Sequence, residues 1–233
     1  MNKKLIASCG NCPYPLAERF CRTSSGKAPD FCPTKNKPQL TADAGREYQK
    51  TEIREFAYQA SVQEAQAYVN RGNGYENIAP CKPRLLETIE FSEKMKYKRL
   101  GLAFCAGLRA EAKIVENLFR QHGFEIVSVI CKVGRSDKEC IGISDDHKVA
   151  PGQPESMCNP ILQAMVLNDA GTEFNILLGL CVGHDSMFFK YADAPCTVLA
   201  SKDRMLGHNP LAAVYNIDSY YRALKQPQKQ SQQ

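Results

Sequence analysis

The chain has 233 residues, 43% of them apolar, which suffices for one core of about 150 residues and a smaller appendage. With 30 Lys and Arg against 25 Asp and Glu the net charge is only +5. No five like charges run together and no basic stripe alternates with aromatics, so nucleic acid is not an expected partner, and no stretch approaches the roughly 18 apolar residues of a membrane helix.

Ile6-Ala7-Ser8-Cys9 has the look of a lipoprotein cleavage box. The apolar segment before it, Leu5 to Ala7, is far short of the roughly 7–15 residues of a signal peptide. The start is therefore read as mature and the protein as cytoplasmic. In a reducing compartment, eleven cysteines point to metal binding or thiolate chemistry rather than to disulfides.

Residues 1–40 are rich in Cys, Pro, Lys and Gly, lack periodicity, and are expected to form a small metal-binding knuckle. Residues 41–98 are expected to be a helical segment. A long helix is predicted over 43–70, with Phe56, Ala60, Val62 and Tyr68 as its apolar stripe, ended by Arg71-Gly-Asn-Gly74. A second helix is predicted from Leu85 to Lys98.

Residues 99–225 alternate strands and helices. Strands are predicted at Leu100–Phe104, Glu125–Ile130, Phe174–Leu180 and Cys196–Ala200. Helices are predicted at Ala106–His122 (closed by Gly123), Pro160–Ala170 (closed by Gly171), Asp185–Tyr191 and Pro210–Leu224. That alternation predicts an α/β fold, a three-layer, mainly parallel sheet of Rossmann-like or flavodoxin-like type. The polar tail 226–233 is expected to be disordered.

Cys9-Gly-Asn-Cys12 is a C-x2-C pair that can reach one tetrahedral ion through a tight turn. With Cys21 and Cys32 it makes four thiolates, a set suited to zinc or a single iron. The segment has no core of its own, so metal would supply its folding free energy, and four protein ligands make the role structural.

Three further cysteines, Cys105, Cys131 and Cys181, each follow a predicted strand. In a parallel sheet those strand ends share one edge, where ligands gather. Cys158 precedes the helix start Asn159-Pro160 and faces the same edge. A lone cysteine after a strand is ordinarily a small buried hydrophobe. Three in the same strand position and a fourth at a cap argue for a shared site. Arg109, Lys132, His184, Asp185, Lys202, Asp203 and Arg204 fall on or near this rim. Cys158-Asn-Pro160 and His208-Asn-Pro210 echo one another as cap-and-start signals.

Four convergent thiolates can hold an iron–sulfur cluster, with Cys105, Cys131, Cys158 and Cys181 as ligands. Arg109, Lys132, His184 and His208 would then contact a small anionic ligand. A second class is a non-catalytic metal or anion sensor. A third is a cysteine-nucleophile enzyme using Cys105 or Cys181 with His184 and Asp185, although adjacent His and Asp rarely orient each other.

Phe104-Cys-Ala-Gly-Leu108, Val129-Ile-Cys-Lys-Val-Gly134, Met157-Cys-Asn-Pro160, Gly179-Leu-Cys-Val-Gly-His-Asp185 and Lys202-Asp-Arg-Met-Leu-Gly-His-Asn-Pro210 strongly resemble the DUF1847 family. The resemblance extends from the N-terminal cysteines to about Leu224. It implies a cysteine-bound metal and assigns no reaction.

Overall fold

The computed structural model describes residues 6–227; the expected disordered tail lies, from residue 228 on, outside the described residues. The chain divides between Gln66 and Ala67 into two compact units. None of the eleven cysteines forms a disulfide. Among the described residues no helix is long and apolar enough to cross a membrane.

In the first unit, 3-10 turns at Cys9–Asn11 and Leu16–Glu18 precede helices α1 (Pro33–Asn36), α2 (Pro38–Glu47) and α3 (Thr51–Gln66). Proline opens both α1 and α2, where its missing N–H costs nothing. The helix predicted over 43–70 is thus two helices. The Gln49 and Lys50 N–H groups turn back to the Arg46 and Glu47 carbonyls, tightening the end of α2 into a turn. Tyr68, expected on that helix, lies instead in a short strand of the second unit.

The second unit opens with a hairpin of β1 (Tyr68–Val69) and β2 (Ala79–Pro80), which encloses the Gly-Asn-Gly turn. Then follow α4 (Arg84–Lys94), β3 (Arg99–Phe104), α5 (Arg109–Gln121), β4 (Glu125–Ile130), α6 (Pro160–Asp169), β5 (Phe174–Leu178), α7 (His184–Tyr191), β6 (Cys196–Ala200) and α8 (Leu211–Tyr215). The last four strands form a parallel sheet in the order β4-β3-β5-β6. The four expected strands are therefore present and parallel. The helix expected over Pro210–Leu224 is only α8, followed by turns and a 3-10 stretch at Arg222–Lys225.

Successive strand residues face opposite sides of a sheet. Ala103, Val129 and Leu177 pack with Ala164 and Leu167 of α6 and Phe188 of α7 on one face. On the other, Phe91 of α4 meets Phe174 of β5 at 5.5 Å between ring centres. Helix α5 buries Ala112, Val115 and Phe119, a helical stripe, against β3 and β4. Strand β5 is buried at all five positions, as a strand covered on both faces must be.

Both predicted glycine stops are observed. Gly123 and Gly171 have positive φ, and the next residues, Phe124 and Thr172, donate to the Phe119 and Leu167 carbonyls. That closure satisfies carbonyls the helix leaves open.

One close approach sets how near α6 lies to the sheet. A Cβ on Gly101 would fall 2.1 Å from Asn175 Oδ1 and 2.7 Å from Leu167 Cδ1. Asn175 and Leu167 are both fully buried, so neither can yield cheaply. Gly101→Ala is expected to lower the unfolding free energy by about 1–3 kcal/mol in urea titrations; unchanged stability would mean that α6 is held less tightly than its contacts imply.

Candidate functional site

Cys105 and Cys131 stand side by side because β3 and β4 run parallel in register. Their backbone N–H groups continue the ladder, to the Leu178 carbonyl at 3.1 Å and the Phe104 carbonyl at 2.9 Å. The chain then makes a long excursion over residues 132–158 and returns to the same place. There the Asn159 N–H donates to the Cys131 carbonyl at 2.7 Å. Asn159 also caps α6, its Oδ1 accepting the Leu162 N–H at 3.0 Å, with Pro160 in the first turn.

This return sets Cys158 against Cys131, their sulfurs hydrogen-bonded at 3.7 Å. Cys131 is 3% exposed and also accepts the Ala106 N–H at 3.2 Å. Cys105 and Cys158 are half-buried and pack on the same core cluster. Cys105, Cys131 and Cys158 therefore meet at one cluster.

The pair divides its protons unequally. The hydrogen bond with Cys131 draws the Cys158 thiol down to about 5, against the opposing effect of burial, and Lys132, His184 and Lys138 reinforce it with positive charge. Cys131 moves the other way, raised by the same hydrogen bond and by burial. The shifts favour the thiolate at Cys158 and the thiol at Cys131.

Cys181 follows a different strand end, that of β5. β5 ends at Leu178, two residues earlier than predicted, because Gly179 turns to a φ of 66°. The Cys181 sulfur instead accepts Arg204 Nη2 at 3.0 Å. The other predicted rim groups are engaged nearby. Asp185 Oδ1 accepts the Gly183 and Ser186 N–H groups, so the carboxylate caps its own turn rather than orienting His184. Lys132 donates to the Ser156 carbonyl. His208 Nδ1 accepts the Asp203 N–H at 3.1 Å, and Arg109 is exposed. Asn209 does not repeat the Asn159 cap: α8 starts at Leu211 without a side-chain cap bond.

The sheet reverses its winding at β3, with β4 on one side and β5 and β6 on the other. The crevice between the carboxyl ends of β3 and β5 is where such sheets take ligands. Lys202 spans it. A Cβ on Gly107 would lie 3.3 Å from Lys202 Nζ and 4.0 Å from Cys105 Sγ, and one on Gly179 would lie 3.9 Å from Lys202 Cδ. The missing side chains at 107 and 179 leave room for the lysine and bring its charge near Cys105.

Gln163 escaped sequence reasoning. Its Nε2 donates to the Val129 carbonyl at 2.7 Å and the Phe104 carbonyl at 3.3 Å, beneath Cys105 and Cys131. The visible signal was one polar residue in the apolar helix Pro160–Leu167.

In the first unit, Cys9, Cys12, Cys21 and Cys32 line one small pocket with Phe20 and Phe31. Its free space of about 40 Å³ exceeds what one water needs. The Cys12 N–H bonds the Cys9 carbonyl at 3.2 Å, closing the predicted tight turn. Backbone N–H groups of Lys35 and Thr34 hold the Cys32 thiol below its ordinary pKa. The donors suit a soft ion in kind and number. Among the described residues, however, no three His, Cys, Asp or Glu side chains stand close enough together to bind one as placed.

The profile of the family described as "Protein of unknown function (DUF1847)" matches residues 32–199. A protein of Methanocaldococcus jannaschii, described as uncharacterised, is 42% identical over 185 residues, which is 79% of this chain and 87% of the relative. The profile match takes in Cys32 and the rim cysteines but not Cys9, Cys12, Cys21 or the Lys202–Pro210 segment, and so is shorter at both ends than the resemblance read from the sequence. The chain belongs to the DUF1847 family.

Proposed function

We propose that this is a metal-binding protein with a sulfur-handling or redox role. Its working centre is the cysteine rim, and Cys9, Cys12, Cys21 and Cys32 hold a separate structural zinc. The observation that carries this reading is the 3.7 Å contact between Cys131 and Cys158. Two thiolates on one tetrahedral ion, each bonded at about 2.3 Å, stand about 3.8 Å apart. The pair thus has the spacing of two ligands on a shared ion. Cys105, packed on the same cluster, is the third donor in this reading.

An iron–sulfur cluster is the alternative occupant. In its cubane form it puts each cysteine on a different iron and so asks Cys131 and Cys158 to separate. In the same reading the sheet is flavodoxin-like, consistent with its reversal at β3. The ligand is small and anionic, met by Lys202 and Arg204. Neither nucleic acid nor membrane is a partner, and a reducing cytoplasm keeps the thiols free.

A second reading, a cysteine-nucleophile enzyme, has one specific observation in its favour. Cys158 is a half-buried thiolate beside a protonated thiol, the state of an activated nucleophile. In this form the nucleophile is Cys158 rather than Cys105 or Cys181.

Metal analysis after anaerobic purification tests the leading reading. Cys12→Ser should release zinc and destabilise the first unit. Cys158→Ser should remove a different metal and leave that zinc in place. Broad visible absorption would identify a cluster, and a colourless metal-bearing protein a single ion. Metal content indifferent to both Cys131→Ser and Cys158→Ser would sink the rim centre.

The thiolate assignment is tested by alkylation of metal-free protein across pH. Because the Cys158 pKa is depressed, its thiolate is present above about 5 and is lost only as pH falls through that value. Iodoacetamide labelling of Cys158 should follow a midpoint near 5, whereas an ordinary cysteine gives about 8.5. Cys131→Ala should shift the midpoint upward. A wild-type midpoint at the ordinary value contradicts the assignment.

A further inference from the structure

The excursion between β4 and α6 brings together a second pair of sulfurs. Cys140 Sγ and Met157 Sδ are 3.6 Å apart although 17 positions separate them in sequence. We propose that Cys140 and Met157 form an outer binding site for a soft monovalent d10 cation of the copper(I) type.

The contact is held by the neck of the excursion. Asp137 and Ser156 form an antiparallel bridge. The Lys138 N–H donates to the Glu155 carbonyl at 3.1 Å, and the Met157 N–H to the Ser136 carbonyl at 2.8 Å. Lys138 and Glu155 add an ion pair at 2.7 Å, with side chains only 18% and 17% exposed. Cys140 sits in the 3-10 turn that follows this bridge, and Met157 directly follows Ser156 on its other side. The donors are therefore positioned before any ion arrives, which lowers the ordering cost of binding.

The donor chemistry selects the ion. A thioether is a poor ligand for hard cations, and a thiolate–thioether pair favours copper(I). Neighbouring carboxylates do not compete for a hard cation, because Glu155 is answered by Lys138, and Glu139 and Asp145 by Lys148. Cys140 is exposed, so an ion can reach it from solvent. Binding replaces the Cys140 thiol proton, which leaves to water, and neither metal nor sulfur changes oxidation state. Met157 is followed directly by Cys158, so the outer pair lies one residue from the rim pair. The outer site stands on its own contact and does not depend on the rim holding metal.

Silver(I), a soft monovalent ion that does not cycle oxidation state, is the probe. Reduced, anaerobic full-length protein labelled with ¹³C at the methionine methyls is titrated with silver nitrate. The Met157 methyl is assigned by its loss in Met157→Leu. Its resonance should shift, while those of the exposed Met187 and Met205 stay in place, and zinc chloride should leave it unmoved. Cys140→Ser should weaken the response by more than roughly tenfold, since loss of even an outer partner costs a metal site about that much. Cys140→Ala should do the same, and Cys131→Ser should leave the response intact whatever becomes of the rim. A Met157 methyl that stays fixed until all thiols are saturated overturns the proposal. So does one that shifts equally in Cys140→Ser, or one that moves only together with Met205.

Discussion

The Asn159 N–H to Cys131 carbonyl bond, 2.7 Å long, carries more of this structure than its size suggests. On one side it engages Cys131, whose own N–H forms the last rung between β4 and β3. On the other it fixes where the chain re-enters after 27 residues of excursion, and Asn159 itself then starts α6. Cys158 is placed against Cys131 because of this bond, and Gln163, one turn further on, reaches back to the carbonyls of β3 and β4. The packing of α6 on Gly101 then holds the helix from the far side of the same face. The local charges follow from the geometry. A half-buried sulfur near two lysines and a histidine becomes the anion, and its 3% exposed neighbour keeps the proton.

Much of the fold was legible because the signals are local. Short apolar runs marked all four strands of the parallel sheet, and Gly123 and Gly171 marked two helix ends by a backbone conformation that side chains disfavour. The meeting of Cys105, Cys131 and Cys158 followed from two strand ends and one helix-start signal. The misses share a cause. Propensity does not see where hydrogen bonds turn back, so the break after Tyr48 was hidden within a continuous helical pattern. The segment 210–224 carried enough apolar residues for a helix, yet Leu211, Val214 and Tyr215 are exposed, so little burial supports a longer one. Strand β5 was drawn two residues too long because an apolar run does not show that Gly179 ends the strand early. Strand order and the Cys140–Met157 contact lie beyond periodicity altogether, since both depend on residues far apart in sequence.

The cysteines sort by depth and by edge. Cys131 lies in the core at the carboxyl edge of the sheet, while Cys196 begins β6 at the amino edge, where burial raises its pKa. Cys196 therefore keeps its proton and behaves as a small apolar side chain, its thiol bonded to the Ala194 carbonyl at 3.2 Å. Cys9, Cys12, Cys21 and Cys32 belong to a different unit and line a pocket of their own. The charged groups follow the same division. Lys132, Lys202, Arg204 and His184 all come from the carboxyl edge, and Lys132 and His184 act on the Cys158 thiolate.

The pinned neck of the excursion has a consequence for how this protein can vary. Its two ends are fastened to each other by backbone bonds at residues 136–138 and 155–157, so the residues between contribute nothing to the sheet ladder. Lengthening such a closed segment is cheap, about 0.6 kcal/mol for each doubling. Insertions or deletions near Val149 to Gln153 would leave the sulfur atoms at the base where they are. The tip is thus free to diverge in length and composition among descendants of the same ancestor, while the residues at its base answer to a stricter selection.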